Sequence, residues 1–292
     1  MAKRKKRTTK IKQTDFLPKL RQTQLKLLDI FVDFCNQHGL IYYLSSGTLL
    51  GAVRHKGYIP WDDDIDIDMP RADYEKFIRT WKDQGDIKLD CYKTSTEFWR
   101  PLAKLRDEST IYAEDIQTEN YRGMRGIWID IFPLDNVSEY NLPKLERRKH
   151  KMLFYGELII RKSSINITWT GGIKHTIKNI LAAILPRSLL CWLQTRAITS
   201  CKDDNSKYIT TYMSKYNLKR QTYLRAKYHP IIQLEFEGRM LNAPSDYDYT
   251  LSIIYGSDYM QLPPVDQRVA HSPIYAKFSD GTIIDFRKQG ND

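Results

Sequence analysis

The sequence predicts an α+β protein in which a mixed sheet is flanked by helices. Apolar residues recur at helical spacing over residues 15–38. Ile and Met alternate with Asp over residues 64–69, which is the pattern of a strand with one buried face. A nearly continuous apolar run over residues 126–135 predicts a second buried strand. With 292 residues, of which 41% are hydrophobic, the chain can bury a sizeable core.

The first half of the chain is expected to alternate between helices and strands. The helix over 15–38 ends at Gly39, and residues 40–44 form a short buried strand. A turn of small residues then leads into a helix that starts at Thr48. The further elements expected before residue 110 are the acidic strand over 64–69, a helix over 71–81 and strands over 88–93 and 98–105.

The second half is expected to contain a helical insertion followed by short strands. Residues 141–193 are largely helical in pattern and are broken at Gly171-Gly172. Within them, residues 180–193 fit either an amphipathic face that rests on a membrane or, more commonly, a helix pair that packs on the core. Turns are expected at 236–238, 255–256 and 279–282. We therefore divide the chain into a basic tail (1–14), a main domain (15–275) with a helical insertion at about 141–200, and a C-terminal extension (276–292).

The charge of the chain predicts an anionic partner. The net charge is +11 and the pI is about 9.3, with a basic cluster at residues 3–7. No apolar core follows this cluster, so it is not a secretory signal; it is either a disordered end or a segment attracted to an anionic leaflet. The four cysteines show no paired spacing, which indicates no disulfide framework or zinc motif and favours a reducing cytoplasm. No apolar run reaches the ~18 residues that a membrane span requires.

The acidic strand is the clearest candidate for a metal site. If Ile65, Ile67 and Met69 face the core, Asp64, Asp66 and Asp68 lie together on the opposite face. Carboxylates so close repel one another, and a hard cation such as Mg²⁺ relieves that repulsion. A solvated acidic loop is the alternative, but a free loop has no reason to bury every second residue.

Two further features predict phosphate chemistry near this strand. The turn Ser46-Gly47-Thr48 opens a helix, and backbone N–H groups at a helix N-terminus bind phosphate. Arg54 follows within the same helix and adds positive charge. Arg100 and Lys104, on the strand expected over 98–105, are either exposed to solvent or in contact with that phosphate.

A lone acid marks the second buried strand. Asp130 lies among Ile, Trp and Phe, where an unpartnered carboxylate is costly to bury. It is either a structural, hydrogen-bonded residue or a third metal ligand brought across the sheet to Asp64 and Asp66. Two carboxylates on one strand and one on its neighbour would form a cation site for phosphoryl chemistry.

These motifs together resemble a known family. The runs GTLLGAVRHKGYIPWDDDIDIDMPRADYEKF, RPLAKLRDEST, GIWIDIFPLD and FEGRMLNAPSDYDYTLSIIYGSDYMQLPP are similar to segments of the LicD family, bacterial phosphocholine transferases related to the fukutin proteins. The resemblance extends from about Phe16 to His271. It implies a nucleotidyltransferase-like core in which a Gly-Ser turn precedes a strand bearing Asp-hydrophobic-Asp. Thr48 replaces the Ser of that turn and keeps the hydroxyl.

The resemblance also implies a set of site residues. Asp64, Asp66 and Asp130 match the three acids of the family, and Asp62 and Asp68 are expected in an outer shell. Mg²⁺, or Mn²⁺, would be the cofactor. Lys104 would help to neutralise charge as the reaction proceeds.

The implied reaction is the transfer of an alcohol phosphate, typically phosphocholine, from a CDP-linked donor to a hydroxyl of a glycan, with release of CMP. The acceptor would be a lipid-linked glycan, a teichoic acid precursor or another surface polysaccharide. For choline, aromatic side chains are expected around the quaternary ammonium. The enzyme is expected in the cytoplasm or peripherally on the inner face of the cell membrane, without a nucleic-acid partner. The alternatives are a nucleotidyltransferase that transfers NMP to RNA or a small molecule, and a non-catalytic member that binds a glycan.

Overall fold

The computed structural model describes residues 16–115, 119, 121–163, 172–268 and 273–288. The predicted basic tail, Gly171 and His271 lie outside these residues. The helices are α1 (Phe16–His38), α2 (Ser46–His55), α3 (Arg71–Thr80), α4 (Leu142–Ser163), α5 (Gly172–Ile184), α6 (Arg187–Ile198) and α7 (Tyr247–Tyr255). The strands are β1 (Tyr43–Leu44), β2 (Asp66–Pro70), β3 (Ile87–Asp90), β4 (Ala103–Asp107), β5 (Ile111–Ala113), β6 (Ile127–Val137), β7 (Tyr208–Thr210), β8 (Thr222–Leu224), β9 (Ile232–Phe236), β10 (Arg239–Ala243), β11 (Tyr275–Lys277) and β12 (Ile283–Asp285).

A seven-stranded mixed sheet forms the centre of the fold. Five strands follow the order β1-β2-β6-β4-β3, and β7 extends β6 with β8 beside it. The β2–β6 pair is parallel, whereas β1–β2, β4–β6 and β3–β4 are antiparallel. Smaller sheets are the β9–β10 hairpin and the three strands β12-β11-β5. The predicted α+β class, with a mixed sheet flanked by helices, is confirmed.

One face of β2 is buried, as the alternation predicted. Ile65, Ile67 and Met69 are completely buried, in the same cluster as Phe31 of α1 and Phe77 of α3. The successive side chains of a strand point to opposite faces, so the aspartates between them face away from this core. The hydrophobic core therefore fixes the side of the sheet on which the carboxylates lie.

The predicted strand over 98–105 is wrong in its first half. β4 begins only at Ala103. The guanidinium of Arg187 donates hydrogen bonds to the carbonyls of Tyr92, Ser95 and Phe98 at 3.1, 2.7 and 2.9 Å. These carbonyls are therefore satisfied by a side chain, and the segment before β4 is a loop.

The helices α4, α5 and α6 form the expected helical region. Their inward residues, among them Leu158, Ala182 and Leu190, form one buried cluster. Along the described ranges, no single helix has the length and apolarity needed to cross a membrane; α5 and α6 meet that test only as a pair, and they are bent at 113° to each other.

Candidate active site

A cleft of about 820 Å³ lies over the polar face of β2, β4 and β6. The start of α2 forms one wall, and segments that follow β7 and α7 form another. Among the predicted site residues, those that line it are Ser46, Gly47, Arg54, Asp64, Asp66, Arg100, Lys104 and Asp130.

Three of these residues share one rung of the sheet. Asp66 of β2 pairs in register with Asp130 of β6, and Asp130 pairs with Lys104 of β4. Neighbouring strands are about 4.8 Å apart, so the two carboxylates and the ammonium lie side by side. The sheet thus brings together three residues that lie between 26 and 64 positions apart in sequence.

Asp130 is held by two donors. The Nζ of Lys104 lies 2.9 Å from Oδ1 of Asp130, and the indole N–H of Trp128 donates to Oδ2 at 2.8 Å. The same ammonium lies 3.9 Å from the centre of the Trp128 ring. Burial lowers the pKa of Lys104, while Asp130 opposes that shift. The carboxylate is therefore fixed in orientation and faces a cation that is only slightly exposed.

The carboxylates of the cleft are electrostatically unfavourable without a counterion. Burial, followed by repulsion from Asp64 and Asp130, raises the pKa of Asp66 well above its usual range. Burial also raises the pKa of Asp68 to about 7, although Ser45 and Tyr228 oppose the shift. A divalent cation would remove this penalty, and carboxylate oxygens are the ligands that Mg²⁺ prefers.

The tightest carboxylate group differs from the predicted triad. Asp62, Asp63 and Asp64 each offer an oxygen within 4.8 Å of the other two, and they form the only such group found within the described part of the chain. Asp63 is buried, and its Oδ2 accepts a hydrogen bond from the hydroxyl of Tyr112 at 3.0 Å. Asp62 and Asp64 are half-buried and line the cleft. The donor set therefore suits a hard cation, with Asp62 closer to the centre than the outer shell in which it was expected.

The start of α2 fits closely against this cluster. A Cβ on Gly47 would lie 2.7 Å from Oδ2 of Asp62, so glycine allows the helix to approach the acids. Ser46 precedes it in the left-handed region, with φ 45°. Thr48 is buried, and its hydroxyl accepts a hydrogen bond from the backbone N–H of Asp66 at 2.9 Å. Thr48 thus ties α2 to β2, and of the predicted turn residues it is Ser46 and Gly47 that line the cleft.

The predicted basic residues are divided between the cleft and the scaffold. Arg54 lines the cleft, but its Nη1 donates to the carbonyls of Tyr259 and Gln261 at 2.9 and 3.2 Å. Arg100 is exposed at the cleft. Arg106, two residues after Lys104 on β4, is not among the residues that line the cleft, and its Nε donates to the buried Asp90 at 2.8 Å. Arg54 therefore also anchors the segment that forms the far wall.

Sequence reasoning did not identify the aromatic wall of the cleft. Tyr216 and Tyr255 meet edge to face, with ring centres 5.8 Å apart. Trp61 and Tyr259 also line the cleft, as does the exposed Lys215. The high tyrosine content of residues 208–259 was visible in the sequence, but no local pattern shows which rings converge.

Comparison with known proteins relates most of the chain to one family. A family model described as LicD/FKTN/FKRP, nucleotidyltransferase domain, matches residues 39–159. Over 271 residues the chain is 30% identical to the lipopolysaccharide cholinephosphotransferase LicD of Haemophilus influenzae, covering 86% of this chain and 95% of that protein. An uncharacterised protein of Rickettsia typhi is 36% identical over 74 residues, which are 22% of this chain and 24% of that protein. An uncharacterised protein of Rickettsia prowazekii is 49% identical over 41 residues, which are 14% of this chain and 15% of that protein.

Proposed function

The chain belongs to the LicD family, and from this membership and the geometry of the cleft we propose that it transfers phosphocholine from CDP-choline to a hydroxyl of a cell-surface glycan. The observation that carries the proposal is the rung of Asp66, Asp130 and Lys104 inside a cleft large enough for a nucleotide. A similar relative named as a lipopolysaccharide cholinephosphotransferase supports a glycan acceptor. A teichoic acid precursor or a lipid-linked glycan belongs to the same chemical class.

We assign the diphosphate of the donor to the acidic end of the cleft. Asp64 and Asp66, with Asp62 beside them, would hold Mg²⁺ or Mn²⁺, which would neutralise the phosphate oxygens as charge develops. The backbone at Ser46 and Gly47 borders this position and would donate hydrogen bonds to a phosphate.

Asp130 is the carboxylate placed to act on the acceptor. The contacts from Lys104 and Trp128 fix its orientation, so it would orient the attacking hydroxyl and take its proton. A bond forms between the hydroxyl oxygen and the phosphorus that bears choline, and the bond from that phosphorus to the bridging oxygen of CMP breaks. CMP leaves with the electron pair, and Lys104 would offset the charge.

The aromatic wall would hold the choline group. Tyr216 and Tyr255 line the same cleft as Trp61, and the two tyrosine rings meet edge to face. The faces of such rings carry negative potential and attract quaternary ammonium ions by about 0.5–2 kcal/mol each. Arg100 and Lys215, at the same cleft, would meet the anionic groups of donor or acceptor.

The test is release of CMP from CDP-choline with Mg²⁺ and an envelope glycan acceptor. Asp66→Asn and Asp130→Asn keep the side-chain shape but remove the charge, so we expect each to lower the rate by at least about a hundredfold. Asp33→Asn, an exposed position on α1, is the matched control and should retain full activity.

The products separate the remaining alternatives. Acceptor-dependent release of CMP, together with phosphocholine on the glycan, supports the proposal. CMP attached to an acceptor with release of phosphocholine would instead indicate an NMP-transferring nucleotidyltransferase. Glycan binding without turnover of CDP-choline, CDP-ribitol or CDP-glycerol would indicate a non-catalytic member and overturn the proposal.

A further inference from the structure

Helix α5 carries a stripe of isoleucines that faces solvent. The four residues follow one another at spacings of four, three and four, so they share one face of the helix. Exposed apolar side chains that are contiguous in this way mark an interaction surface. The members of this isoleucine face, with the exposed fraction of each, are Ile173 (80%), Ile177 (51%), Ile180 (44%) and Ile184 (71%).

The opposite side of the same helix is already packed. Asn179 and Ala182 of α5 are buried, and Ala182 belongs to a cluster with Leu158 of α4 and Leu190 of α6. The helix therefore contributes to the core with one side and is apolar on the other side as well. Packing against the described residues does not account for the isoleucine face.

Helix α6 carries further exposed apolar residues, one of them aromatic. Trp192 is 53% exposed, and the guanidinium of Arg196 lies 5.0 Å from its ring. Leu189, one turn earlier, is also exposed. A tryptophan ring beside a basic residue is typical of side chains at the boundary between lipid and water.

The charged residues of α5 and α6 themselves are all basic. Between Glu157 and Asp203 the sequence contains no acid, and it contains seven Lys or Arg residues. Lys174 and Arg196 are exposed next to the apolar surface. An amphipathic helix with basic flanks binds an anionic bilayer through both its apolar area and its charge.

The geometry fits a helix pair that lies on a membrane. The helices α5 and α6 have 13 and 12 residues, whereas a single span requires about 20. They meet at 113°, and their inner sides pack on α4. We propose that the isoleucine face, together with Leu189 and Trp192, docks the protein on an anionic lipid surface.

The docking surface is tied to the cleft by Arg187. This residue, at the start of α6, binds four carbonyls of the loop that leads to Arg100 at the cleft. Docking would therefore set the distance of the cleft from the lipid headgroups. The docking proposal itself does not depend on the proposed transfer reaction, because vesicle binding measures it directly.

The test is co-sedimentation of the full chain with vesicles of phosphatidylcholine alone and of an equimolar mixture with phosphatidylglycerol. The native protein should bind the mixed vesicles more tightly. The double substitution Ile173→Ser and Ile177→Ser should weaken that binding by at least about tenfold, since each inserted side chain contributes several buried carbons. Lys174→Glu with Arg196→Glu should abolish the preference for the anionic lipid.

Met240→Ser is the matched control, because Met240 is 58% exposed on the β9–β10 hairpin and should not affect binding. The substituted positions are exposed, so circular dichroism and the unfolding midpoint should remain those of the native protein. Vesicle binding that is absent in the native protein, or unchanged in the isoleucine variant, would overturn the proposal. The proposal would also be overturned if light scattering showed a dimer in the absence of vesicles and the same isoleucine substitutions dissociated that dimer.

Discussion

Replacement of Asp66 by asparagine should stabilise the metal-free protein while it removes the proposed cation site. Asp66 lies beside Asp130 in the sheet and two residues after Asp64 on its own chain segment. Burial and these neighbours raise the pKa of Asp66, which means that its charged form is disfavoured in the fold. Asparagine keeps the shape of the side chain and removes that charge.

The spacing of the strands sets the size of the effect. Two like charges at about 5–6 Å repel by about 3 kcal/mol at an effective dielectric constant of about 20. Lys104, 2.9 Å from Asp130, and the solvent in the cleft offset most of this repulsion. We therefore expect the free energy of unfolding of Asp66→Asn to exceed that of the native protein by about 1 kcal/mol in the absence of divalent ions.

In Mg²⁺ the native protein should instead be more stable than Asp66→Asn. A cation at about 100 times its dissociation constant stabilises the protein that binds it by about 2.7 kcal/mol, and the variant should gain little of this. The assay is urea denaturation in EDTA and in Mg²⁺, with Asp33→Asn as control. A variant that is less stable than the native protein in EDTA, or that Mg²⁺ stabilises to the same extent, would refute the electrostatic reasoning.

Three further predictions follow from the same geometry. The raised pKa of Asp66, and that of Asp68 at about 7, mean that protons compete with the cation. The affinity for Mg²⁺ should therefore fall as the solution goes from about pH 8 to about pH 6, and calorimetric titration that finds no change would contradict this. Gly47→Ala would push a Cβ to 2.7 Å from Asp62 and should lower Mg²⁺ affinity and CMP release, while the free energy of unfolding changes by less than about 1 kcal/mol. Arg71 donates to both oxygens of the buried Asp135 at 2.8 and 2.9 Å, so Arg71→Met should cost about 3–5 kcal/mol of unfolding free energy in urea titrations, and a near-neutral result would show that the pair is dispensable.

Local periodicity determined much of the fold in advance. The 15–38 pattern predicted α1 almost to the residue, and the turn expected at 236–238 connects β9 and β10. The alternation around Asp66 predicted that Ile65, Ile67 and Met69 face the hydrophobic core. Both periods arise from backbone geometry that depends only on neighbouring residues, so a single sequence is enough to reveal them.

Contacts between distant segments decided the rest. The loop before β4 replaces a predicted strand because Arg187, from a helix some 90 positions later, binds its carbonyls. The hydroxyl of Thr48 faces the backbone of Asp66, and Arg54 holds the wall near Tyr259. A local sequence pattern cannot predict these partners, because each lies many residues away along the chain.

The sequence by itself determined that a row of carboxylates must lie on one face of a strand, since the pleat places alternate side chains on opposite faces. Only the tertiary structure decided which residues of other segments lie beside that face. The parallel pairing of β2 with β6 brings Asp130 beside Asp66, and the antiparallel pairing of β4 brings Lys104 beside Asp130. Close packing of α2 gathers Asp62 into the cluster, and segments after β7 and α7 supply the aromatic wall. Alternation along a strand specifies the face of a side chain, whereas its neighbours across the sheet depend on strand order and register, which long-range burial selects.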